Sequence, residues 1–307
     1  MTRPAPAPIS PRPATPPILP GLLLAMGGAV AFSGKAIIVK LAYRYPVDAV
    51  TLIMLRMLFA LPLFIALAVW AGRGKPALTA RDWRMVAALG FSGYYLASFL
   101  DFMGLQYISA SLERLILYLT PTIVLALSWL LFKRRVQPAQ FVALAVSYLG
   151  VLLVFGRELT VQGANTALGA SLVFASTLSY ALYLIYSGEE VKRLGSARLT
   201  GLASSVACVL CIVQYLLLRP VDVALNVAPP VLWLSLLNAT VCTFAPVLMV
   251  MMGIERIGAA RASQAGMIGP LSTILMGVVI LGEPFTAWIA AGTVLVLSGV
   301  WLLARVR

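Results

Sequence analysis

Apolar stretches of about 20 residues follow one another along almost the whole 307-residue chain. An α-helix needs about 20 mostly apolar residues to cross the hydrocarbon core of a bilayer, so each stretch is long enough to span one. Hydrophobic residues make up 61% of the chain and charged residues 11%, against about 45–50% and 25% in soluble domains. We therefore predict an all-α integral membrane protein rather than a soluble domain. Its ten predicted spans are 19–42, 47–71, 83–107, 110–132, 138–156, 166–188, 198–218, 230–254, 260–282 and 285–304.

The rest of the sequence leaves no room for a soluble domain. Residues 1–18 are rich in proline, which predicts a disordered cytoplasmic tail. The chain has no histidine and only three cysteines, which excludes histidine-based metal sites, triads and proton relays. Cys208 and Cys211 have the spacing of a redox or metal pair, but they lie inside an apolar stretch, where such chemistry is not expected. We predict no metal, no cofactor and no enzymatic activity, with a membrane-embedded enzyme as the weaker alternative.

Basic residues are distributed unequally between the predicted loops. The formal net charge is +13, which in a soluble protein would suggest a nucleic-acid partner. With a cytoplasmic N-terminus and ten spans, 16 basic residues fall on the cytoplasmic side and 5, including Arg114, on the other. This bias is the one that the positive-inside rule describes. We therefore predict two cytoplasmic termini, a multi-pass protein in the lipid bilayer of a bacterial inner membrane, and no nucleic-acid partner.

Two parts of the chain match each other at a constant offset of 149 residues. The matching pairs include Gly104/Gly253, Ile108/Ile257, Ala110/Ala259, Pro121/Pro270 and Gly150/Gly299. Each part contains five predicted spans, an odd number, so the second part would cross the membrane in the opposite direction to the first. We predict a five-helix repeat at 19–156 and an inverted copy at 166–304. Inverted repeats are typical of secondary transporters, whose substrate sites lie near the midplane between the repeats.

Motifs in both parts resemble those of a known family. The first reads Gly-Leu-Gln-Tyr-Ile-Ser-Ala-Ser from Gly104, then Leu-Tyr-Leu-Thr before Pro121; the second reads Gly-Ile-Glu-Arg-Ile-Gly-Ala-Ala from Gly253, then Met-Ile-Gly before Pro270. With Arg56, they resemble the EamA-type members of the drug/metabolite transporter superfamily, and within it most closely the bacterial exporters of aromatic amino acids. The resemblance implies a basket-like bundle in which spans 1, 3, 4, 6, 8 and 9 line a central cavity and spans 2, 5, 7 and 10 brace it from outside.

Three ionisable side chains stand out inside the predicted spans: Lys35, Arg56 and Asp101. Such groups are costly in a membrane and are functional candidates by default. Lys35 is a candidate for binding a substrate carboxylate, and a structural ion pair is the alternative. We expect Arg56 and Asp101 to form a structural charge network. Small multidrug exporters of the same superfamily carry a glutamate in span 1, where this chain has Phe-Ser-Gly before Lys35, so the resemblance argues against a cationic substrate.

Polar and aromatic side chains on the predicted inner spans are the other candidates for substrate binding. They are Tyr94, Tyr95, Ser98, Tyr118, Tyr180, Tyr183, Asn238, Gln264 and Met267. The alternative is structural, because tyrosines anchor helices at the membrane interface and small polar groups hold helices together. Pro121 and Pro270 each remove one helical hydrogen bond, which predicts hinges, or static kinks as the alternative.

Together these features favour a monomeric secondary transporter that exports amino acids by alternating access. The expected substrates are aromatic or large apolar amino acids such as phenylalanine and methionine. No carboxylate in the predicted spans stands out as free to carry a proton, so we expect facilitated transport without a coupling ion. The alternative substrates are phosphorylated metabolites or nucleotide sugars, with Lys35 and Arg56 as phosphate partners.

Overall fold

Helices are the regular elements of the computed structural model, which describes residues 18–133, 137–163, 165–257, 265–266 and 268–305. The predicted tail therefore lies almost wholly outside the described residues. Eight helices are long and apolar enough to cross a membrane, and two shorter apolar helices follow them, Ile268–Leu281 and Ala287–Leu302. The predicted all-α membrane fold is confirmed.

The helices are numbered along the described chain. They are α1 (Ile18–Ala42), α2 (Ala49–Gly72), α3 (Ala80–Gly104), α4 (Ala110–Leu117), α5 (Thr120–Phe132), α6 (Pro138–Gln162), α7 (Asn165–Leu194), α8 (Ser196–Leu218), α9 (Val221–Leu225), α10 (Pro229–Ile257), α11 (Ile268–Leu281) and α12 (Ala287–Arg305). The predicted fourth span corresponds to α4 and α5 together. The short helix α9, in the connection between α8 and α10, was not predicted.

Helix ends differ from the predicted spans for local reasons. α3 begins at Ala80 rather than 83, because the side chains of Thr79 and Asp82 form a capping box there. It ends at Gly104, and the chain turns over the next three residues, which the prediction had placed in the helix. α6 and α7 each run several residues past their predicted ends at 156 and 188.

Each span packs antiparallel against one span of the other half of the chain, besides other contacts such as those of α11 with α1 and of α5 with α7. The pairs are α1 with α10, α2 with α8, α3 with α7, α4 with α11, and α6 with α12. In the last pair Gly299 lies against Ser147 and Gly292 against Gly150, so residue numbers rise along one helix and fall along the other. The glycines let the two backbones approach closely, as is common in membrane helices. The pairing is symmetric between the two halves. If each span is replaced by the span at the same position in the other half, the same five pairs result.

Replacing Gly292 by valine is expected to lower the thermal stability of the protein. Even a Cβ atom there would overlap Val154 Cγ2 and lie 2.7 Å from the Gly150 carbonyl oxygen, and overpacking of this kind costs about 1–3 kcal/mol. Gly156→Val is the matched control in α6, because a Cβ at Gly156 meets no atom within 4 Å. Thermal unfolding of the purified protein in detergent distinguishes the two variants. Equal melting temperatures would contradict the close approach of α6 and α12.

The predicted fourth span is interrupted just before Pro121. α4 ends at Leu117, the next two residues form a turn, and Pro121 lies in the first turn of α5. Proline has no N–H to offer the Leu117 carbonyl, and the Thr120 hydroxyl donates to that carbonyl instead, at 2.6 Å. Pro270 is buried near the start of α11, and residues 258–264 before it lie outside the described chain. Both hinge roles stay predictions.

α3 and α10 each contain a π turn, at Gly90–Leu96 and Thr240–Phe244. The second segment falls within the first when the offset of 149 residues is applied. A π turn widens a helix locally and is often found at functional sites. Both turns carry residues that line one cavity between the spans, Tyr94 in α3 and Thr243 in α10.

Candidate functional site

A cavity of about 440 Å³, here called the central cavity, lies among seven of the spans. Its lining side chains include Phe32 and Lys35 of α1; Arg56, Met57 and Phe64 of α2; Tyr94, Ser98 and Asp101 of α3; Arg114, Tyr118 and Thr120 around the α4–α5 turn; Tyr180 of α7; Thr200 and Ser204 of α8; and Thr243, Val247 and Met251 of α10. The volume falls in the range of about 300–1,000 Å³ typical of small-molecule sites.

Two of the spans expected to brace this cavity from outside line it instead. α2 contributes Arg56 and Phe64, and α8 contributes Thr200 and Ser204. The expectation was wrong because α2 and α8 pack along each other and one edge of the pair faces inward. Among the described residues, α6 and α12 contribute none to the lining, as expected, and α11 contributes none either.

A buried ion-pair cluster of Lys35, Asp101 and Glu113 closes one end of the central cavity. Lys35 Nζ is 2.5 Å from Asp101 Oδ2 and 3.3 Å from Glu113 Oε1. The Asp101 side chain is 2% exposed and that of Glu113 0%. Each residue lies within about two helical turns of the end of the bundle where α1 and α3 end and α4 begins. We call this end the far end, and the end at which α1 begins the near end.

Arg56 lies on the cavity wall near this cluster without joining it. It is 3% exposed, its guanidinium carbon lies 4.6 Å from the centre of the Phe102 ring, and its Nε has no hydrogen-bond partner. Within the described part of the chain, no carboxylate lies within 4 Å of its guanidinium group. We expected a network of Arg56 with Asp101; the structure gives that place to Lys35, which reaches Asp101 from α1.

Glu113 and Arg114 are the functional candidates that sequence reasoning missed. Both are buried in α4, and Arg114 Nε lies 3.9 Å from Glu113 Oε2. The charge count had included Arg114 among the loop charges of the non-cytoplasmic side, but four residues of helix precede it, so it lies within α4 rather than in a loop. The available signal was their position inside the predicted span 110–132, where any charged residue is a functional candidate. Transport without a coupling ion was expected because no carboxylate in the spans stood out as a proton carrier. Glu113 is such a carboxylate, so this reason no longer holds.

Tyrosines form the wall of the central cavity between the cluster and the near end. Tyr94, Tyr118 and Tyr180 line it together with Ser98. The Tyr118 hydroxyl donates to the Gly266 carbonyl at 2.7 Å, which ties the α4–α5 turn to the second half of the chain. The Tyr94 hydroxyl lies 3.2 Å from that of Tyr183. This wall offers ring faces and a few hydroxyl groups to a bound molecule.

The remaining predicted residues do not reach the central cavity, or cannot be placed. Tyr183 lies behind Tyr94 and stacks on Tyr180, with ring centres 5.6 Å apart. Tyr95 points to another side of α3, where its ring lies 5.4 Å from that of Phe91. Asn238 is buried in α10, and its Oδ1 has no hydrogen-bond partner. Gln264 and Met267 lie outside the described residues.

Comparison with known proteins assigns the family. The model of the EamA-like transporter family matches residues 19–156 and again residues 167–305. The chain belongs to the EamA-like transporter family. It is 29% identical to the uncharacterized transporter YcbK of Bacillus subtilis, over 86% of both chains. It is 26% identical to an uncharacterized transporter of Archaeoglobus fulgidus, over 91% of this chain and 96% of that protein.

A solved crystal structure shares the fold with this EamA-like transporter. It superposes with a TM-score of 0.61 and covers 92% of this chain and 95% of the other, at 18% sequence identity. The match to the family model confirms, at the level of the family, the resemblance noted from the motifs. The chain is a multi-pass membrane transporter, and the central cavity is its candidate substrate site.

The charged side chains at the central cavity of this EamA-like transporter all come from its first half. Lys35, Arg56, Asp101 and Arg114 line the cavity, and the described lining residues of the second half are uncharged. The offset between the two parts is 146 near the start of each part, as in Ala29/Ala175, and 149 further along. At these offsets the positions of Lys35, Arg56 and Asp101 correspond to Ala181, Ser205 and Val250. A substrate with one charged end and one apolar end would therefore bind in a single orientation.

Side-chain contacts close the far end of this EamA-like transporter. Lys40 Nζ donates to the carbonyl oxygens of Leu105 and Ile108, at 3.2 and 3.0 Å. Glu283, before α12, accepts from the Ala110 N–H at 2.7 Å, and so caps α4 from the second half of the chain. The Tyr43 hydroxyl donates to a backbone carbonyl, and burial raises the pKa of this phenol well above its ordinary value, so that it stays a neutral donor. These bonds must break if the cavity is to open at this end.

Proposed function

We propose that this transporter exports aromatic or large apolar amino acids by alternating access. The observation that carries the proposal is Arg56, a buried cation that faces the central cavity without a carboxylate partner in the described structure. A buried charge of this kind is costly unless a partner neutralises it. The carboxylate of an amino acid is such a partner, and arginine binds carboxylates with two parallel hydrogen bonds.

The surroundings of Arg56 suit the other parts of an amino acid. Asp101 lies on the same charged end of the cavity and has one oxygen without a hydrogen-bond partner, so it is available to an ammonium group. The aromatic wall of Tyr94, Tyr118 and Tyr180 suits a phenyl ring or the thioether of methionine. A phosphorylated metabolite is less well matched, because its second negative charge would face Asp101 and Glu113.

Alternating access is supported by the relation between the two halves. The family model matches each half separately, the spans pair in an antiparallel manner across the halves, and one helix break interrupts the fourth span beside the cavity. This is the arrangement expected of an inverted repeat whose halves rock about a central site. The excess of basic residues in the near-end loops supports a cytoplasmic near end in a bacterial inner membrane, and hence export toward the far end.

Counterflow in proteoliposomes tests the substrate. Vesicles loaded with unlabelled phenylalanine or methionine and diluted into the labelled amino acid should take up label, and empty vesicles containing no transporter should not. Competition by a phosphorylated sugar at the same concentration should be weak. The proposal would be overturned by the absence of protein-dependent counterflow for both amino acids, or by displacement of the label by the phosphorylated sugar alone.

A further inference from the structure

Asp101 and Glu113 are two buried acids whose carboxylates contact the same ammonium group, that of Lys35, at 2.5 and 3.3 Å. An ionised carboxylate only accepts hydrogen bonds, so two of them cannot bond to each other unless one carries a proton. Asp101 Oδ1 and both oxygens of Glu113 have no hydrogen-bond partner among the described residues. One proton between the two acids would supply the missing bond, because a protonated Glu113 can donate to Asp101.

Four charged side chains from other parts of the bundle or from α4 itself lie near Asp101 and Glu113. Lys35 lies between the two acids, Arg114 reaches Glu113 only at 3.9 Å, and Arg56 lies beyond ion-pair distance of Asp101. Glu283 binds the first turn of α4, one helical turn from Glu113. Two acids thus face one ammonium group at close distance, that of Lys35, and the second cation, Arg114, meets Glu113 only at the outer edge of ion-pair distance.

The central cavity connects this pair to the substrate. Asp101 lines the cavity and Glu113 lies behind it, so a cationic group that enters the cavity meets Asp101 first. An ammonium group bound to Asp101 would take the place of the hydrogen bond from Glu113. The proton and the ammonium group therefore compete for the same carboxylate.

We propose that Asp101 and Glu113 share one proton, and that this proton is exchanged for the ammonium group of the substrate in each transport cycle. The first part stands on the geometry of the acids, and the second part rests on the proposed amino-acid substrate. The O–H bond of Glu113 breaks when substrate binds from one side, and the proton passes to water. The bond forms again when substrate leaves on the other side and a proton arrives from water there. The transporter is then an antiporter that moves substrate toward the more acidic compartment.

Infrared spectroscopy tests the shared proton without any substrate. Difference spectra of the reconstituted protein between acidic and alkaline buffer should contain the C=O stretch of a protonated carboxylic acid. The band should be missing in Glu113→Gln and retained in the control variant Glu190→Gln. Glu190 is also a buried acid, but it lies toward the near end and pairs with Arg193. Identical bands in the wild type and in Glu113→Gln would overturn the shared proton.

Transport in vesicles tests the exchange. With the membrane potential clamped and one proton exchanged per substrate, an interior one pH unit more acidic than the medium should drive about a tenfold accumulation of labelled phenylalanine. Glu190→Gln should keep this accumulation, and in Glu113→Gln the accumulation ratio should fall to about one. Counterflow without any effect of the pH gradient would overturn the exchange but leave the proposed substrate intact. Accumulation in the alkaline compartment would overturn the competition, and absence of counterflow would overturn the substrate itself.

Discussion

Arg56→Gln is expected to weaken amino-acid binding strongly, and with it transport, without lowering the stability of the fold. Arg56 is buried, and within the described structure its guanidinium meets the Phe102 ring and Met57 Sδ but no carboxylate. Removing one partner from a buried ion pair with substrate costs about 2 kcal/mol or more, or roughly thirtyfold in affinity. The empty protein loses an uncompensated buried charge, and replacing such a charge by a neutral group is neutral or stabilising.

Two measurements on the same variants separate the roles of Arg56. Counterflow of labelled phenylalanine reports substrate binding, and thermal unfolding in detergent reports the fold. Arg198→Gln is the matched control, because Arg198 is also buried but lies at the near end, where it donates to the Pro76 carbonyl at 3.0 Å. We expect the control to transport and to melt at a lower temperature. A strong loss of stability in Arg56→Gln, with transport retained, would support the structural role that the sequence alone suggested.

The fold was predictable because its signal is long and repeated. A stretch of about 20 apolar residues specifies a span almost regardless of its neighbours, so the positions of the spans came out close to the helices. Helix ends were less predictable, because they depend on single side chains such as Thr79 and Asp82, whose capping box moves the start of α3. The interruption before Pro121 was indicated by the proline, but the supporting bond from Thr120 was not.

The candidate site was predictable only in part, because sequence gives the face of a helix but not its partner. Tyr94, Ser98 and Asp101 are spaced like one face of a helix and all line the central cavity, whereas Tyr95 is one residue off that face and turns away. Which cation pairs with Asp101 depends on how α1 and α2 are placed against α3. That placement is set by packing between helices far apart in sequence, so the pairing with Lys35 needed the structure.

Lys35→Met is expected to destabilise the protein strongly, in contrast to Arg56→Gln. Lys35 is the close counterion of two buried acids, at 2.5 Å from Asp101 and 3.3 Å from Glu113. Breaking a buried ion pair by removing one partner costs about 3–5 kcal/mol, because the other charge is left buried without compensation. Thermal unfolding in detergent should therefore show a much lower melting temperature, or loss of folded protein during purification.

A double-mutant cycle decides whether this loss comes from the ion pairs. If it does, adding Asp101→Asn to Lys35→Met should restore much of the stability, because the acid closest to Lys35 is then neutral, and the effects of the two substitutions should be strongly non-additive. Lys75→Met is the matched control, since Lys75 lies in the exposed near-end loop and donates to the Leu194 carbonyl at 3.3 Å; it should change stability little. Simple addition of the two effects would mean that Lys35 stabilises the helix bundle by packing rather than by charge. Lys35 would then be free to bind a substrate carboxylate, as the sequence alone suggested. The proposal of a shared proton would be weakened as well, because it requires Lys35 to hold Asp101 and Glu113 together by its charge.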